Sequence, residues 1–198
     1  MTAALPADVL PPIAAVPECN TLLAHARFPD HPMSIAFAGV IAEAFKAGRR
    51  PLIRGIDERG FAGLMQNYFP GLNLSNGCMG DAVENDEYDE YDEYGDLVTL
   101  LMTHRRHSST ALEWLSHAVA SASFGANHLW QDMGLPSRAV LSQLMSDAFP
   151  ALAAKNTGDM KWKKFFYRQI CEHEEILICK SPNCADCRDY PLCFGPET

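Results

Sequence analysis

Four of the chain's seven cysteines, Cys179, Cys184, Cys187 and Cys193, fall within the fifteen-residue stretch "CKSPNCADCRDYPLC". A stretch this short has little apolar area to bury, and ordering each of its residues costs roughly 1–2 kcal/mol of backbone entropy. Bonds from thiolate sulfur to metal can offset that loss. Soft sulfur donors select iron–sulfur clusters, zinc or copper(I) over magnesium and calcium. Structural zinc sites usually pair two short knuckles across a spacer of about a dozen residues or more, and the spacing C-x4-C-x2-C-x5-C holds no such spacer. Closely set cysteines in short loops are the habitual wrapping of an iron–sulfur cluster, a larger object than one ion. An iron–sulfur cluster is therefore the expected occupant, with zinc and a redox or disulfide-forming tail as the alternatives.

Other donors lie nearby in sequence. Cys171 stands two residues before His173 and eight before Cys179, so it offers a further thiolate. His128, which opens "HLWQD", and His173 are additional candidate nitrogen ligands. A bundle of thiolates is anionic and is stabilised by cations. Lys180 and Arg188 lie inside the cysteine stretch and supply that charge, while "KWKK" opens the helix before it. A solvated helix face is the competing reading for those lysines. His104 and His107 end "LVTLLMTHRRH", where a favourable helix-dipole interaction explains them without a metal.

The elements that must position these residues read as helices. "MSIAFAGVIAEAFKAG" sets Ile35, Phe37, Val40, Ile41, Ala44 and Phe45 on one side and stops at Gly48 and Pro51. "RGFAGLMQNYFPG", "GDLVTLLMTHRR", "SSTALEWLSHAVASASFG" and "PSRAVLSQLMSDAFPALAAKN" follow, with serine or threonine caps before Ala111 and Pro136 at a helix start. In "DMKWKKFFYRQICEHEE", Trp162, Phe165, Phe166, Gln169, Ile170 and His173 share one face, assigned to the core, with Lys161, Lys164 and Arg168 toward the other side. Pro182 prevents further helix. Alternating β-branched runs are absent, so the expected fold is all-α: a compact helical domain with a C-terminal cysteine-rich metal-binding loop. The divisions are a proline-rich tail over 1–17, a helical domain over 18–176 with an acidic loop near 81–96, and a cluster-binding segment over 177–198.

The formal net charge is −9, and "DAVENDEYDEYDEYGD" carries nine carboxylates without a basic residue. A polyanionic face repels backbone phosphates, which argues against a nucleic-acid partner. No stretch approaches the roughly 18 apolar residues of a membrane helix, and the N-terminus lacks the basic start of a leader. A cytoplasmic protein is expected, and in that reducing compartment clustered thiols serve metal or redox chemistry in preference to structural disulfides.

"GDMKWKKFFYRQIC" followed by "CKSPNCADCRDYPLCFGPE", and preceded by "HLWQDMGLPSRAVLSQLM" and "FPALAAKN", resembles the NifQ family of nitrogen-fixation proteins. The match is specific over 127–197 and looser upstream. The family's hallmark is the same cysteine spacing, met here at Cys179, Cys184, Cys187 and Cys193. One departure is "SASFGANHLWQD", with Ser123 where members often carry a cysteine. The resemblance implies a molybdenum-containing iron–sulfur cluster, donation of molybdenum to nitrogenase iron–molybdenum cofactor assembly, and the scaffold complex NifEN and the iron protein NifH as partners. On that reading the protein is a carrier and not an enzyme. An electron-transfer iron–sulfur protein and a zinc-stabilised interaction module are the rival functions.

Overall fold

The computed structural model describes residues 18–77, 93–173 and 190–197, and of His173 only the backbone. All regular structure among these residues is helical: α1 (Cys19–Ala24), α2 (Pro32–Lys46), α3 (Glu58–Tyr68), α4 (Glu93–His104), α5 (Thr110–Ser123), α6 (Leu129–Asp132), α7 (Arg138–Ala148), α8 (Pro150–Ala153), α9 (Trp162–His173) and α10 (Tyr190–Phe194). The all-α expectation is met. None of these helices is long and apolar enough to cross a membrane.

Local chemistry explains most of the boundaries. Asp57, Ser109 and Ser137 each accept a hydrogen bond from an exposed amide of the first turn of α3, α5 and α7, which satisfies donors that have no partner inside the helix. Pro150 has no N–H to continue α7, so the chain breaks at Phe149 and restarts as α8 with the proline in its first turn. Two expectations shift. Pro136 does not begin α7; it precedes the cap Ser137, whose hydroxyl makes the better start. The acidic run is not loop throughout, because Glu93 to Asp96 already form the first turn of α4, where carboxylates meet the positive helix end. Residues 1–17 and 78–92, with most of the expected tail and acidic loop, lie outside the described residues.

The centre of the fold is α2. One apolar side was expected of it, yet Ala36, Phe37, Ala38, Val40, Ile41, Ala42 and Ala44 are all buried, because α1, α5, α6 and α7 pack around it. Small side chains let those neighbours come close. At Gly39 even a β-carbon would collide with the carbonyl of Met133, at the end of α6. Around this axis, Phe61, Phe69, Leu101, Leu115, Phe149 and Phe166 are fully buried. Each such side chain contributes roughly 1.5–3 kcal/mol through loss of contact with water. Helix α4 packs on α5, α8 and α9, so the body holds the helix that leads into the cysteine stretch.

Candidate functional site

Helix α9 is seated by its aromatic face. Trp162, Phe165 and Phe166 are buried as the helical period requires, Trp162 meets Phe165 edge-on at 5.7 Å between ring centres, and its indole N–H donates to Ser142 Oγ at 3.1 Å. Gln169 and Ile170, one turn further on, are only half-buried. The lysines beside them divide. Lys164 is exposed, whereas Lys163 donates to the carbonyl of Gly125 at 2.7 Å and to Asp132 Oδ2 at 2.5 Å. Asp132 is buried and also accepts from the backbone N–H and side-chain amide of Asn127 at 3.2 and 3.0 Å. Lys163 is thus a strut between α9 and the "NHLWQD" segment.

Helix α10 lies at the other end of the cysteine stretch and has no buried residue. Polar contacts hold it. The backbone N–H of Lys161 donates to the carbonyl of Cys193 at 2.8 Å, and Phe194 packs partly buried against the core. Beyond the helix, Arg138 Nη1 donates to Glu197 Oε1 at 2.6 Å, while Nη2 donates to the carbonyls of Asp159 and Met160 at 2.7 and 3.1 Å and to Asp159 Oδ1 at 2.8 Å. The Glu197 side chain is only 5% exposed, so this ion pair forms away from bulk water, where charge-assisted bonds are strongest.

The structure places the sequence-predicted site residues as follows. Cys193 is half-buried and lies on α10, so the expectation of no helix beyond Pro182 fails at the end of the stretch, where Pro191 sits in the first turn and leaves the helix's own bonds intact. Cys179, Cys184, Cys187, Lys180 and Arg188 lie outside the described residues, as does the side chain of His173, whose backbone ends α9. His128 caps α6, its backbone N–H donating to Gln131 Oε1 at 3.1 Å, and its Nδ1 lies 3.7 Å from Glu197 Oε1. His128 is therefore close to the chain just after Cys193. Cys171 is not. Cys193 touches the backbone of Lys161 immediately before α9, and Cys171 sits ten residues along, about 15 Å at the rise of an α-helix.

Cys171 occupies an acidic corner. Burial pushes its thiol up first; its own backbone hydrogen bond opposes this, and the Glu172 and Glu93 carboxylates add to the rise. Tyr167 donates to Glu93 Oε2 at 2.7 Å, and that bond, with burial, holds its phenol up to about 12. At the end of α4, His104 Nε2 faces Lys155 Nζ at 3.0 Å and Nδ1 faces the Leu100 carbonyl at 2.8 Å. An ammonium only donates, so Nε2 accepts and Nδ1 carries the proton. Ser123, at the position of the family departure, donates to the carbonyl of Val119. Among the described residues no three His, Cys, Asp or Glu side chains are grouped to hold a metal ion.

Sequence reasoning missed Arg138, Glu197 and Asp132. Their partners lie 59 and 31 positions away, beyond any local pattern. The only hint was composition: an arginine and a lysine next to helix starts, and a carboxylate at the end of a four-residue helix.

The described residues therefore define an all-helical protein whose last two helices bracket a thiol-rich segment, one seated by aromatic burial and the other by ion pairing. The NifQ family model matches residues 36–195, a span that contains all four closely spaced cysteines. The chain belongs to the NifQ family, which is linked to nitrogen fixation. It is 39% identical to "Protein NifQ" of Azotobacter vinelandii over 161 residues, covering 74% of this chain and 80% of that one. Against "Protein NifQ" of Rhodobacter capsulatus the identity is 35% over 153 residues, covering 76% and 82%. An 81-residue match to "Protein NifQ" of Klebsiella pneumoniae reaches 49% identity, over 40% of this chain and 48% of the relative. No solved structure matches the chain.

Proposed function

We propose that the protein is a molybdenum carrier: it holds molybdenum on an iron–sulfur cluster and passes it to the assembly of the nitrogenase iron–molybdenum cofactor, acting as a donor and not as an enzyme. The observation that supports this most is the C-x4-C-x2-C-x5-C array inside a span that matches the NifQ family from residue 36 to 195. The donor set fits the group. Four soft thiols suit iron and sulfide, and Cys193 is half-buried on a helix whose backbone is tied to Lys161. Cys179, Cys184, Cys187 and Cys193 would hold the cluster, with Lys180 and Arg188 balancing its charge, and His128 stands near enough to the Cys193 side to serve as a nitrogen donor. The cluster supplies a sulfur-rich seat for the molybdenum cargo.

Release then depends on how the segment is held. Its upstream flank, α9, is part of the core, so unseating it would disrupt the whole body. Its downstream flank, α10, is held by one backbone bond to Lys161, the partly buried Cys193 and Phe194, and the Arg138 fork beyond it, and such a flank opens at much lower free energy than the core. Opening there exposes the cargo to competing ligands of a partner while the helical body stays folded. The partners in this scheme are the scaffold complex NifEN and the iron protein NifH, and the setting is the cytoplasm.

The test is a transfer assay. Protein loaded with iron, sulfide and molybdenum under anaerobic conditions is mixed with NifEN and NifH, and molybdenum arriving on the scaffold is counted. The parent chain transfers; Cys184→Ser and Cys187→Ser do not, while their helical body melts as before. Cysteine variants that transfer like the parent overturn the proposal.

A further inference from the structure

The region 48–56 contains a polar construction that supplies none of the hydrogen bonds seating α9 and α10 described above. Arg49, Arg50 and Arg54 all line one cleft of about 520 Å³, whose inner wall is formed by Val40, Ala44, Leu52 and Ala122. Three guanidinium groups in one place stand out in a chain of net charge −9. The loop that carries them is fastened from beneath. Asn76, fully buried, accepts from the N–H of Ile53 at 2.9 Å and donates to the carbonyls of Ile53 and Ile56 at 3.0 and 2.6 Å. Its own carbonyl accepts from the N–H of Leu52 at 2.9 Å. The N–H of Arg54 donates to Ser121 Oγ at 3.1 Å. Asn76 thereby satisfies backbone groups of the buried Leu52, Ile53 and Ile56 and fixes the path of the chain on either side of the exposed Arg54.

The arginine side chains are positioned as well. The Arg50 guanidinium lies 4.4 Å over the Phe45 ring and that of Arg54 lies 4.3 Å over the Tyr94 ring. Arg50 also donates to the carbonyl of Arg49 at 2.9 Å. Its stem runs so close to Gly77 that a β-carbon there would overlap Arg50 Cδ, and the backbone at Gly77 has φ +80°, which favours glycine. Stacking on Phe45 occupies the face of the Arg50 guanidinium and leaves N–H groups at its edge to donate in plane. Among the described residues no carboxylate forms an ion pair with Arg49 or Arg50. The one acidic residue lining the cleft, Asp132, is already paired with Lys163 at 2.5 Å.

The geometry points to a binding site for a tetrahedral oxodianion in this cleft, held by the guanidinium edges of Arg49 and Arg50 with Arg54 beside them; resting on the function proposed above, the ion is molybdate. Fork-shaped donors match the oxygen pairs of such an ion, and the apolar wall lowers the local dielectric and strengthens each contact. The cleft exceeds the volume of a bare oxyanion, so the ion keeps part of its water. Through Gly125 and Asp132 the cleft shares its wall with the Lys163 strut of α9, the helix that precedes the thiol segment in sequence.

Equilibrium dialysis of the full chain against molybdate, with bound molybdenum counted by elemental analysis, tests the inference. The expected result is saturable binding that is displaced by tungstate, weakened by about tenfold or more in the Arg49→Gln/Arg50→Gln variant, and retained when Cys179, Cys184, Cys187 and Cys193 are all serine. Thermal melting of the arginine variant, unchanged from the parent, shows that it folds. Undiminished binding by the arginine variant, or loss of binding with the four cysteines, overturns the cleft while leaving the carrier proposal intact. Binding of sulfate or phosphate with none of molybdate overturns the assignment of the ion. Cleft binding combined with normal transfer by the cysteine variants would instead sink the carrier proposal alone.

Discussion

Helices α9 and α10 flank the same cysteine stretch but are held in opposite ways. Trp162, Phe165 and Phe166 of α9 are 4%, 3% and 0% exposed, so its position is a property of the core. Helix α10 has no fully buried residue and is held by the Lys161–Cys193 backbone bond, the Arg138–Glu197 pair and the partial packing of Cys193 and Phe194 on the core. The difference teaches that a segment can be anchored permanently at one end and latched at the other. The carrier role proposed above would use that asymmetry, which allows opening at one end without unfolding of the body.

The comparison can be broken by perturbing each flank. The largest effect is expected from Phe166→Ala, which leaves a cavity in a fully buried site and lowers global stability by about 3–5 kcal/mol, read from urea unfolding. A change confined to α10 would mean that α9 is not core. Lys163→Met comes next: it leaves the buried Asp132 carboxylate without its cation and lowers global stability by about 3 kcal/mol in the same assay. If the loss is negligible, the strut is not what seats α9.

Arg138→Met should act on the other flank. Glu197 lies in the irregular stretch after α10 and can turn out to water once its partner is gone, so the loss is about 1–2 kcal/mol and local. Hydrogen exchange of 190–195 should quicken while the melting temperature barely moves. A fall in melting temperature comparable to that of Phe166→Ala would erase the distinction between core and latch.

The smallest effect sharpens the body side alone. Tyr94 donates its hydroxyl to the Arg54 carbonyl, so His117 Nδ1–H donates to the Tyr94 oxygen at 2.8 Å. Burial holds His117 below its ordinary value of 6.5, opposed by Glu113. The unfolded chain therefore takes up this proton more readily than the folded one. The contribution of His117 is present above the ordinary value and is lost as pH falls below it. Melting curves between about pH 7.5 and pH 5 should show the parent losing more stability on acidification than His117→Gln. Equal losses would remove His117 from the account.

Most of the body was legible because its signals are local. Ser109 caps α5 where the serines and threonine before Ala111 indicated, Pro150 breaks α7, and the aromatic residues of α9 follow the helical period. The burial of α2 on several sides was not legible, since it depends on which helices surround it and not on its own pattern. The interval between the thiols is a property of the sequence itself, and Cys179, Cys184 and Cys187 lie outside the described residues, so their expected chemistry stands on residue type and spacing. The latch and strut were not: Arg138 and Glu197 become neighbours only after 59 positions of chain have folded. The arginine loop was passed over for the same reason. Its significance comes from Asn76 and Gly77, more than twenty positions downstream, which fix a loop that reads in sequence as a helix stop.

The most direct measurement of the central claim is the metal content of the full chain isolated without exposure to oxygen. Iron and acid-labile sulfide are expected together with molybdenum, and replacing Cys179, Cys184, Cys187 and Cys193 by serine should remove the iron, the sulfide and the molybdenum that accompanies them, leaving only molybdate that dialysis exchanges. Zinc as the sole metal, or iron and sulfide that never acquire molybdenum, would contradict it.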